Sequence, residues 1–407
     1  MHVLITANDL FPDPGAGGSG RYVHEVGTRL VDRGHRVSVV TRKRGDASDR
    51  GTVAGMDVYR YDASIPRLPS TLRALSRIAR RIDSDYPVDL LNFHGPLSSF
   101  GVDRALANDR PRVATFHSPW PAEYRLKTGD PGLLGRPWQW LSARGRWTIE
   151  RRVLESANAT VTLSQFMRDR LDEAYPGAPD GTVVPGGSDV SRFRPDPADG
   201  MPAAMDAEGG SSSFLTVRRL TPRMGLETLI SAFGTVASES DAHLYVSGDG
   251  PLRPELEAQT ERLGIGDSVT FLGFVPEDEL PAAYAAADAF VLPTTALEGF
   301  GLATVEALAA GTPVIGTTAG ATPELLGPLE AELDTELLVE DGDTEALADR
   351  MGEWATLPTD RVDAAGEVCR RYAEANYTWE SAVDSIESLF RDFVDRTTDT
   401  PGRRDVP

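Results

Sequence analysis

The feature that most constrains this chain is an alternation, kept up along almost its whole length, of short β-branched runs with amphipathic helical stretches. In the first half the runs are "HVLITAN", "RVSVVT", "DVYRYD", "LLNFHG", "RVATFHS", "ATVTLS" and "TVVPGG", with helical patterns such as 17–33 and "STLRALSRIARRID" between them. Strands alternating with helices imply a mostly parallel sheet, because each crossover helix returns the chain to the same end of the sheet. The stretch "RPDPADGMPAAMDAEGGSSS" then interrupts the pattern with Pro, Gly and Ser and no period, so it reads as a connection. After it the alternation restarts with "FLTVRRL", "HLYVSGDG", "SVTFLGFV", "AFVLPT", "TPVIGT" and "ELLVED". A chain of 407 residues exceeds what one hydrophobic core usually serves. The sequence therefore predicts two doubly wound α/β units with ligands at the carboxyl ends of their strands. The expected bounds are 1–190 for the first unit, 191–213 for the connection and 214–377 for the second unit. A closing helix at 378–395, with Ala382, Ile386, Leu389 and Phe393 at helical spacing, is expected to return toward the first unit, and 396–407 to be a disordered tail.

Composition narrows the chemistry. Cys369 is the single cysteine, which removes internal disulfides and cysteine-based metal clusters, and six scattered histidines show no zinc spacing. No metal and no cofactor are expected. No apolar run is long enough to span a bilayer, and "MHVLITANDLF" lacks a signal-peptide pattern, so a cytoplasmic location is expected. The net charge of −21 is carried with only two lysines, Lys43 and Lys127, which suggests a halophile-like acidic surface. Residues 1–200 hold 28 basic and 24 acidic side chains, and residues 201–407 hold 13 and 38. The first half is thus the one suited to an anionic partner, while the overall charge disfavours nucleic acid.

Three glycines, Gly15, Gly17 and Gly20, show the G-x-G-x-x-G spacing of dinucleotide sites. A dinucleotide fingerprint places its first glycine directly after the first strand, whereas here seven residues, Asn8 to Pro14, intervene. No acidic residue follows the second strand to hold a ribose; Arg42, Lys43 and Arg44 stand there instead. The loop then reads as a phosphate or acceptor loop at a helix start, in which Gly17 and Gly18 let the backbone approach a ligand.

The richest stretch is "AFVLPTTALEGFGLATVEALAAGTPVIGTTAGATPELL". A strand ends near Pro293, a loop carries Glu298, Gly299 and Phe300, and a helix begins near Gly301 with Leu302, Val305, Leu308 and Ala309 toward the core. First-turn amides lack intrahelical acceptors and bind phosphate; Glu298 and Glu306 beside them suit sugar and ribose hydroxyls. Upstream, "TVRRLTPRMG" ends a strand with Arg218, Arg219 and Arg223, cations able to oppose a diphosphate. In the first half, "GRPWQWLSARGRWTIERRVLE", which contains the segment 136–152, interleaves Trp138, Trp140 and Trp147 with arginines, which fits either an anionic membrane surface or a core-packed helix with a solvated basic face. Asp83, Ser84 and Asp85 form a D-x-D string after a helical stretch and read as surface.

In order, "GGSGRYVHEVGTRLVDRGHRV", "FHSPW", "TLSQFMRDRL", "VVPGGSDVSRF", "VRRLTPRMGLETLI", "VSGDGP", "VTFLGFVP", "EGFGLATVEALAAGTPVI" and "TPELL" resemble the retaining glycosyltransferases of family 4 over nearly the whole chain. The resemblance implies the GT-B fold, two facing Rossmann-like domains with a donor and acceptor cleft. It also implies transfer of a hexosyl-type unit from a nucleotide diphosphate sugar to a hydroxyl acceptor, such as a lipid-linked or cell-surface glycan, without a metal. By resemblance Glu298 would hold donor-sugar hydroxyls, and the backbone of Phe300, Gly301 and Leu302 the sugar and phosphate oxygens. Glu306 would bind the ribose, Arg219 the diphosphate, Phe274 and Val275 the base, and His117 would lie near the reacting sugar. The family's lysine is replaced by Met224, so that Arg223 would have to supply its charge, and the usual asparagine of the crossover is Gly186. Two other readings stay open: an NADP-dependent oxidoreductase, and a non-catalytic carbohydrate or nucleotide binder. A pyridoxal-phosphate phosphorylase is excluded, because both lysines lie in the first half.

Overall fold

A computed structural model describes residues 1–63, 67–106, 110–196, 205 and 212–398. Contacts divide the chain into two units, Met1–Pro185 joined by the chain from Trp379 onward, and Gly186–Thr378. The division falls inside "VVPGGSDVSRF", ahead of the expected connection at 191–213. Of that connection, 197–204 and 206–211 lie outside the described residues.

In the first unit the strands are β1 (His2–Thr6), β2 (Arg36–Arg42), β3 (Arg50–Val53), β4 (Met56–Tyr61), β5 (Leu90–Phe93), β6 (Arg112–Phe116), β7 (Ala159–Thr162) and β8 (Gly181–Val183), in the order β3-β4-β2-β1-β5-β6-β7-β8. All pairs are parallel except β3 with β4. β3 is the strand the sequence does not announce: its backbone turns back on β4 through Ala54 and Gly55, both at positive φ (45° and 79°), and "RGTV" offers no apolar run. Leu4, Val40, Leu91, Phe93 and Phe116 from the sheet form one core with Leu75, Ile82 and Met167 from its helices. The opening helix, Gly18–Asp32, buries Tyr22, Val23, Val26 and Leu30 at helical spacing.

The second unit has β9 (Ser212–Val217), β10 (Ala242–Ser247), β11 (Val269–Gly273), β12 (Ala289–Leu292), β13 (Val314–Thr317) and β14 (Leu338–Val339), all parallel, in the order β11-β10-β9-β12-β13-β14. This is the doubly wound order that reverses direction between its first and fourth strands. Both faces of the sheet are covered by helices, so β12 and β13 are buried throughout.

The closing helix runs from Trp379 to Thr398 and belongs to the first unit, against the opening helix. Its buried stripe is Trp379, Ala382, Val383, Ile386 and Phe390; Leu389 and Phe393, expected in the core, lie half-buried at its margin. Arg29 with Glu380, and Arg33 and His35 with Glu387, tie the two helices together at 2.8–3.1 Å. The helix thus continues into the expected tail, whose residues 399–407 lie outside the described residues.

Candidate functional site

In the second unit β9 and β12 are neighbours, yet the chain winds away from them in opposite directions, so the loops at their carboxyl ends bound a crevice. Arg218 follows β9, and residues 293–301 follow β12. There the Arg218 guanidinium donates to the Glu298 carboxylate and to the Thr294 hydroxyl, which itself donates to Glu298 at 3.3 Å. Burial raises the Glu298 carboxyl, but Arg218, Arg223 and the Thr294 hydroxyl together hold it below the usual carboxylate range. The Arg218 Nε–H is buried and has no partner, so a donor remains on the guanidinium for a further acceptor.

Beside this pair the helix Leu302–Ala309 starts from Gly301, whose φ of 99° is open to glycine and strained for other residues. Among the described residues no acceptor takes the N–H of Phe300, Gly301, Leu302 or Ala303. Four donors and the positive helix end therefore converge where a phosphate or sugar oxygen would be held. Leu302, expected in the core, is half-buried, whereas Val305, Leu308 and Ala309 are buried. Glu306 stands half-buried within the helix and accepts from the Tyr284 hydroxyl at 3.3 Å. Phe300 buries its ring against Tyr377 at 5.9 Å. A Cβ on Gly186 would come within 3.0 Å of that ring and 3.2 Å of Leu302, so a side chain here would press on both. Phe274 is 75% exposed beside half-buried Val275, an apolar surface without a partner in the unit.

The cations are arranged differently from expectation. Arg219 is exposed and makes no hydrogen bond or ion pair among the described residues, while its neighbour Arg218 holds Glu298. Met224 is buried, and Arg223 donates to the carbonyls of Ala296 and Leu297 at 3.3 and 3.2 Å, bracing the loop that carries Glu298. Sequence reasoning named Arg218 only as one of three cations and did not foresee its pairing with Glu298; "VRRL" offers two adjacent arginines, and the pairing of β9 with β12 brings Arg218 to that carboxylate.

In the first unit the strand order reverses between β1 and β5. The glycine loop follows β1, His94 follows β5 and His117 follows β6. The Gly17 N–H is turned toward Asp9 at 3.4 Å, with Ser19 on the same carboxylate at 3.3 Å, so an acidic side chain stands at the Gly17 amide of the expected anion loop. Nor is Gly17 crowded; the steric requirement falls on Gly15, with φ at 70°, and on Gly20, where a Cβ would lie 2.9 Å from Asp9. Arg60 grips Asp13 with two bonds of 2.8 Å and fixes the loop.

His117 Nε2 lies 2.9 Å from His94 Nδ1, and His94 Nε2 lies 2.6 Å from Asn92 Oδ1. Tyr22 presses edge-on against His117 at 5.4 Å, with Trp379 of the closing helix behind it at 5.6 Å. Burial lowers His117 to about 4. The loop after it is anchored by Glu150, which accepts the Trp120 N–H at 2.8 Å and the Tyr175 hydroxyl. Burial pushes the Glu150 carboxyl up to about 8.

The tryptophan segment divides in two. In the helix Gly132–Ser156, Trp147 stacks on Tyr175 and Ala143, Glu150, Val153 and Leu154 are buried, as in a core-packed helix. Its first half instead exposes Leu133 (81%), Leu134 (99%), Trp138 (71%) and Trp140 (63%) beside exposed Arg136 and Arg144. The D-x-D string lies inside the helix Leu68–Asp85, and Asp83 holds Arg110 at 2.9 Å and the Val88 N–H at 3.0 Å, a structural role. Among the described residues no cluster of metal-ligating side chains forms, and no helix is long and apolar enough to cross a membrane.

Family models match both halves: Glycosyltransferase Family 4 over residues 16–192 and Glycosyl transferases group 1 over residues 203–392. The chain is 29% identical over 403 residues to a GDP-mannose-dependent alpha-(1-6)-phosphatidylinositol monomannoside mannosyltransferase of Mycobacterium tuberculosis (strain ATCC 25618 / H37Rv), covering 96% of this chain and 98% of that one. It is 29% identical to a D-inositol 3-phosphate glycosyltransferase of Rhodococcus erythropolis (strain PR4 / NBRC 100887), covering 92% and 86%. Among solved structures it superposes on sucrose-phosphate synthase from Thermosynechococcus elongatus with a TM-score of 0.80 at 23% identity, covering 97% and 99%.

Proposed function

This chain belongs to the glycosyltransferases of family 4 and has their GT-B fold; on that premise we propose that it moves a hexosyl unit from a nucleotide diphosphate sugar to an acceptor hydroxyl with retention at the anomeric carbon. The observation that carries this reading is the crevice after β9 and β12, where four unpaired amides and the Arg218–Glu298 pair combine anion and polyol recognition.

In this reaction the bond from the anomeric carbon to the donor phosphate breaks while positive charge grows on the ring. The helix amides and Arg218 oppose the charge on the departing diphosphate, a role for which each donor is worth about 3 kcal/mol. The acceptor oxygen bonds the anomeric carbon on the same face, and its proton passes to the leaving phosphate. Glu298 orients sugar hydroxyls rather than attacking, since Arg218 and Thr294 already engage its Oε2. Glu306 takes the ribose, exposed Phe274 with Val275 the base, and Arg219 swings to the outer phosphate. Protein cations and amides supply the charge stabilisation in this scheme, so no metal or other cofactor is needed.

The acceptor is proposed to be an inositol-bearing or other lipid-linked polyol. The two relatives named for phosphatidylinositol monomannoside and inositol phosphate support that class. The exposed Leu133, Leu134, Trp138 and Trp140 with Arg136 and Arg144 would seat the chain peripherally on an anionic membrane from the cytoplasmic side.

GDP-, UDP- and ADP-hexoses screened by calorimetry and product release decide the reading. GDP-mannose is expected to bind and turn over, with Glu298→Gln and Glu306→Gln each lowering transfer at least tenfold. Tight NADP(H) binding with no nucleotide sugar bound would make the chain an oxidoreductase. A nucleotide sugar bound without turnover would leave a binder, and turnover unchanged in both variants would take Glu298 and Glu306 out of the reaction.

A further inference from the structure

The imidazoles at the carboxyl ends of β5 and β6 have a hydrogen-bond order that can be worked out from one end. Asn92 is buried, and its side-chain amide lies 3.1 Å from the carbonyl of Val113 and 3.3 Å from the Thr115 hydroxyl. A carbonyl only accepts, so the Asn92 nitrogen faces it and Asn92 Oδ1 faces His94. That oxygen can only accept, and the contact of 2.6 Å therefore puts a proton on His94 Nε2. Burial, and then the neighbouring His117, lower the pKa of His94 well below the usual histidine value, so it is neutral at pH 7 and its Nδ1 is an acceptor. The partner of that Nδ1 is His117 Nε2, 2.9 Å away, which must then be the donor. His117 is itself neutral at pH 7. Its single ring proton is used on His94, and Nδ1 keeps a lone pair. No described residue hydrogen-bonds His117 Nδ1, and that atom is not one of the buried unpartnered ones, so it remains open to a ligand.

We infer that Asn92 and His94 are positioning residues that lock His117 in the Nε2-protonated tautomer, so that His117 offers Nδ1 as an acceptor to a hydroxyl group of the substrate. The opposite tautomer would place a donor there and would favour a carbonyl or phosphate oxygen instead. A polyol hydroxyl is thus the ligand chemistry this chain selects at the first unit's strand ends. The substrate half of the inference rests on the proposed glycosyl transfer; the tautomer does not.

Long-range proton–nitrogen NMR of the full chain with 15N-labelled histidine reads the tautomer directly. At pH 7 His117, assigned by its loss in His117→Gln, is expected to show a protonated Nε2 and an unprotonated Nδ1. A protonated Nδ1, or a cationic ring, overturns the inference. Asn92→Leu removes the acceptor that orders the chain and is expected to give mixed tautomers at His117. An unchanged spectrum in Asn92→Leu overturns the positioning role. The wild-type spectrum alone carries the test if a variant does not fold. With GDP-mannose and an inositol lipid, Asn92→Leu is expected to raise the acceptor KM at least fivefold while donor hydrolysis stays within twofold. The predicted tautomer together with an unaltered acceptor KM would sink the hydroxyl-acceptor role and leave the donor-site reading standing.

Discussion

Arg218 and Glu298 have side chains only 9% and 13% exposed, so removing one partner strands a charge in a poorly solvated place. In Arg218→Gln the first effect is on Glu298: without the guanidinium, burial is opposed only by Arg223 and the Thr294 hydroxyl, and its pKa rises. The carboxylate form is then lost as pH falls through a higher value. The acidic limb of kcat/KM should accordingly move to higher pH, with transfer at pH 7 down about 10²–10³-fold, the scale of losing one preorganised donor. Arg218→Lys should restore the limb in part; a pH profile unmoved in Arg218→Gln would contradict the pairing. Gly186→Asn, which needs room where the Phe300 ring stands 3.0 Å away, should raise the donor KM several-fold by displacing the Phe300–Leu302 amides, as steady-state kinetics would show. At this scale Glu298 and Glu306 were legible because both lie in one short stretch, on a loop and the helix it enters. The choice of Arg218 over Arg219, and the order of Asn92, His94 and His117, depend on strands paired across long sequence distances.

The helix Gly132–Ser156 carries a second buried acid with an opposite shift. Glu150 is raised to about 8, so it is held protonated in the fold, and this contribution is whole below about 4.5 and is lost as pH rises through about 8. Glu150→Gln keeps acceptors for Trp120 and Tyr175 without a charge to desolvate. Its melting temperature should match wild type near pH 4.5 and exceed it increasingly toward pH 8; a constant difference across that range would mean that Glu150 does not titrate with folding. Elements with an apolar period were readable in the sequence, including all six strands of the second unit. β3 was not, because an edge strand closed by an Ala-Gly turn carries no such period, and the closing helix was read with its stripe displaced because Trp379, Val383 and Phe390 are buried while Leu389 and Phe393 are only half-buried.

Across the molecule the net charge of −21 is concentrated in residues 201–407. Screening of that self-repulsion should raise the melting temperature as KCl increases from about 0.1 to 1 M, where the Debye length falls to about 3 Å. A falling melting temperature would mean that ion pairs such as those between the opening and closing helices outweigh the repulsion. Two-unit architecture was legible because periodicity is local and repeats; the division at Pro185/Gly186 was less so, since it falls inside "VVPGGSDVSRF", ahead of the loose Pro-, Gly- and Ser-rich stretch that composition marks. The central claim is that the strand ends of the second unit hold a nucleotide diphosphate sugar and transfer its sugar with retention. Proton NMR of the product formed from GDP-α-mannose and an inositol lipid, in excess EDTA, tests it most directly. An α-linked product with stoichiometric GDP, at least tenfold slower in Glu298→Gln, is the predicted result; a β-linked product, or α-product formed equally fast by Glu298→Gln, would contradict it.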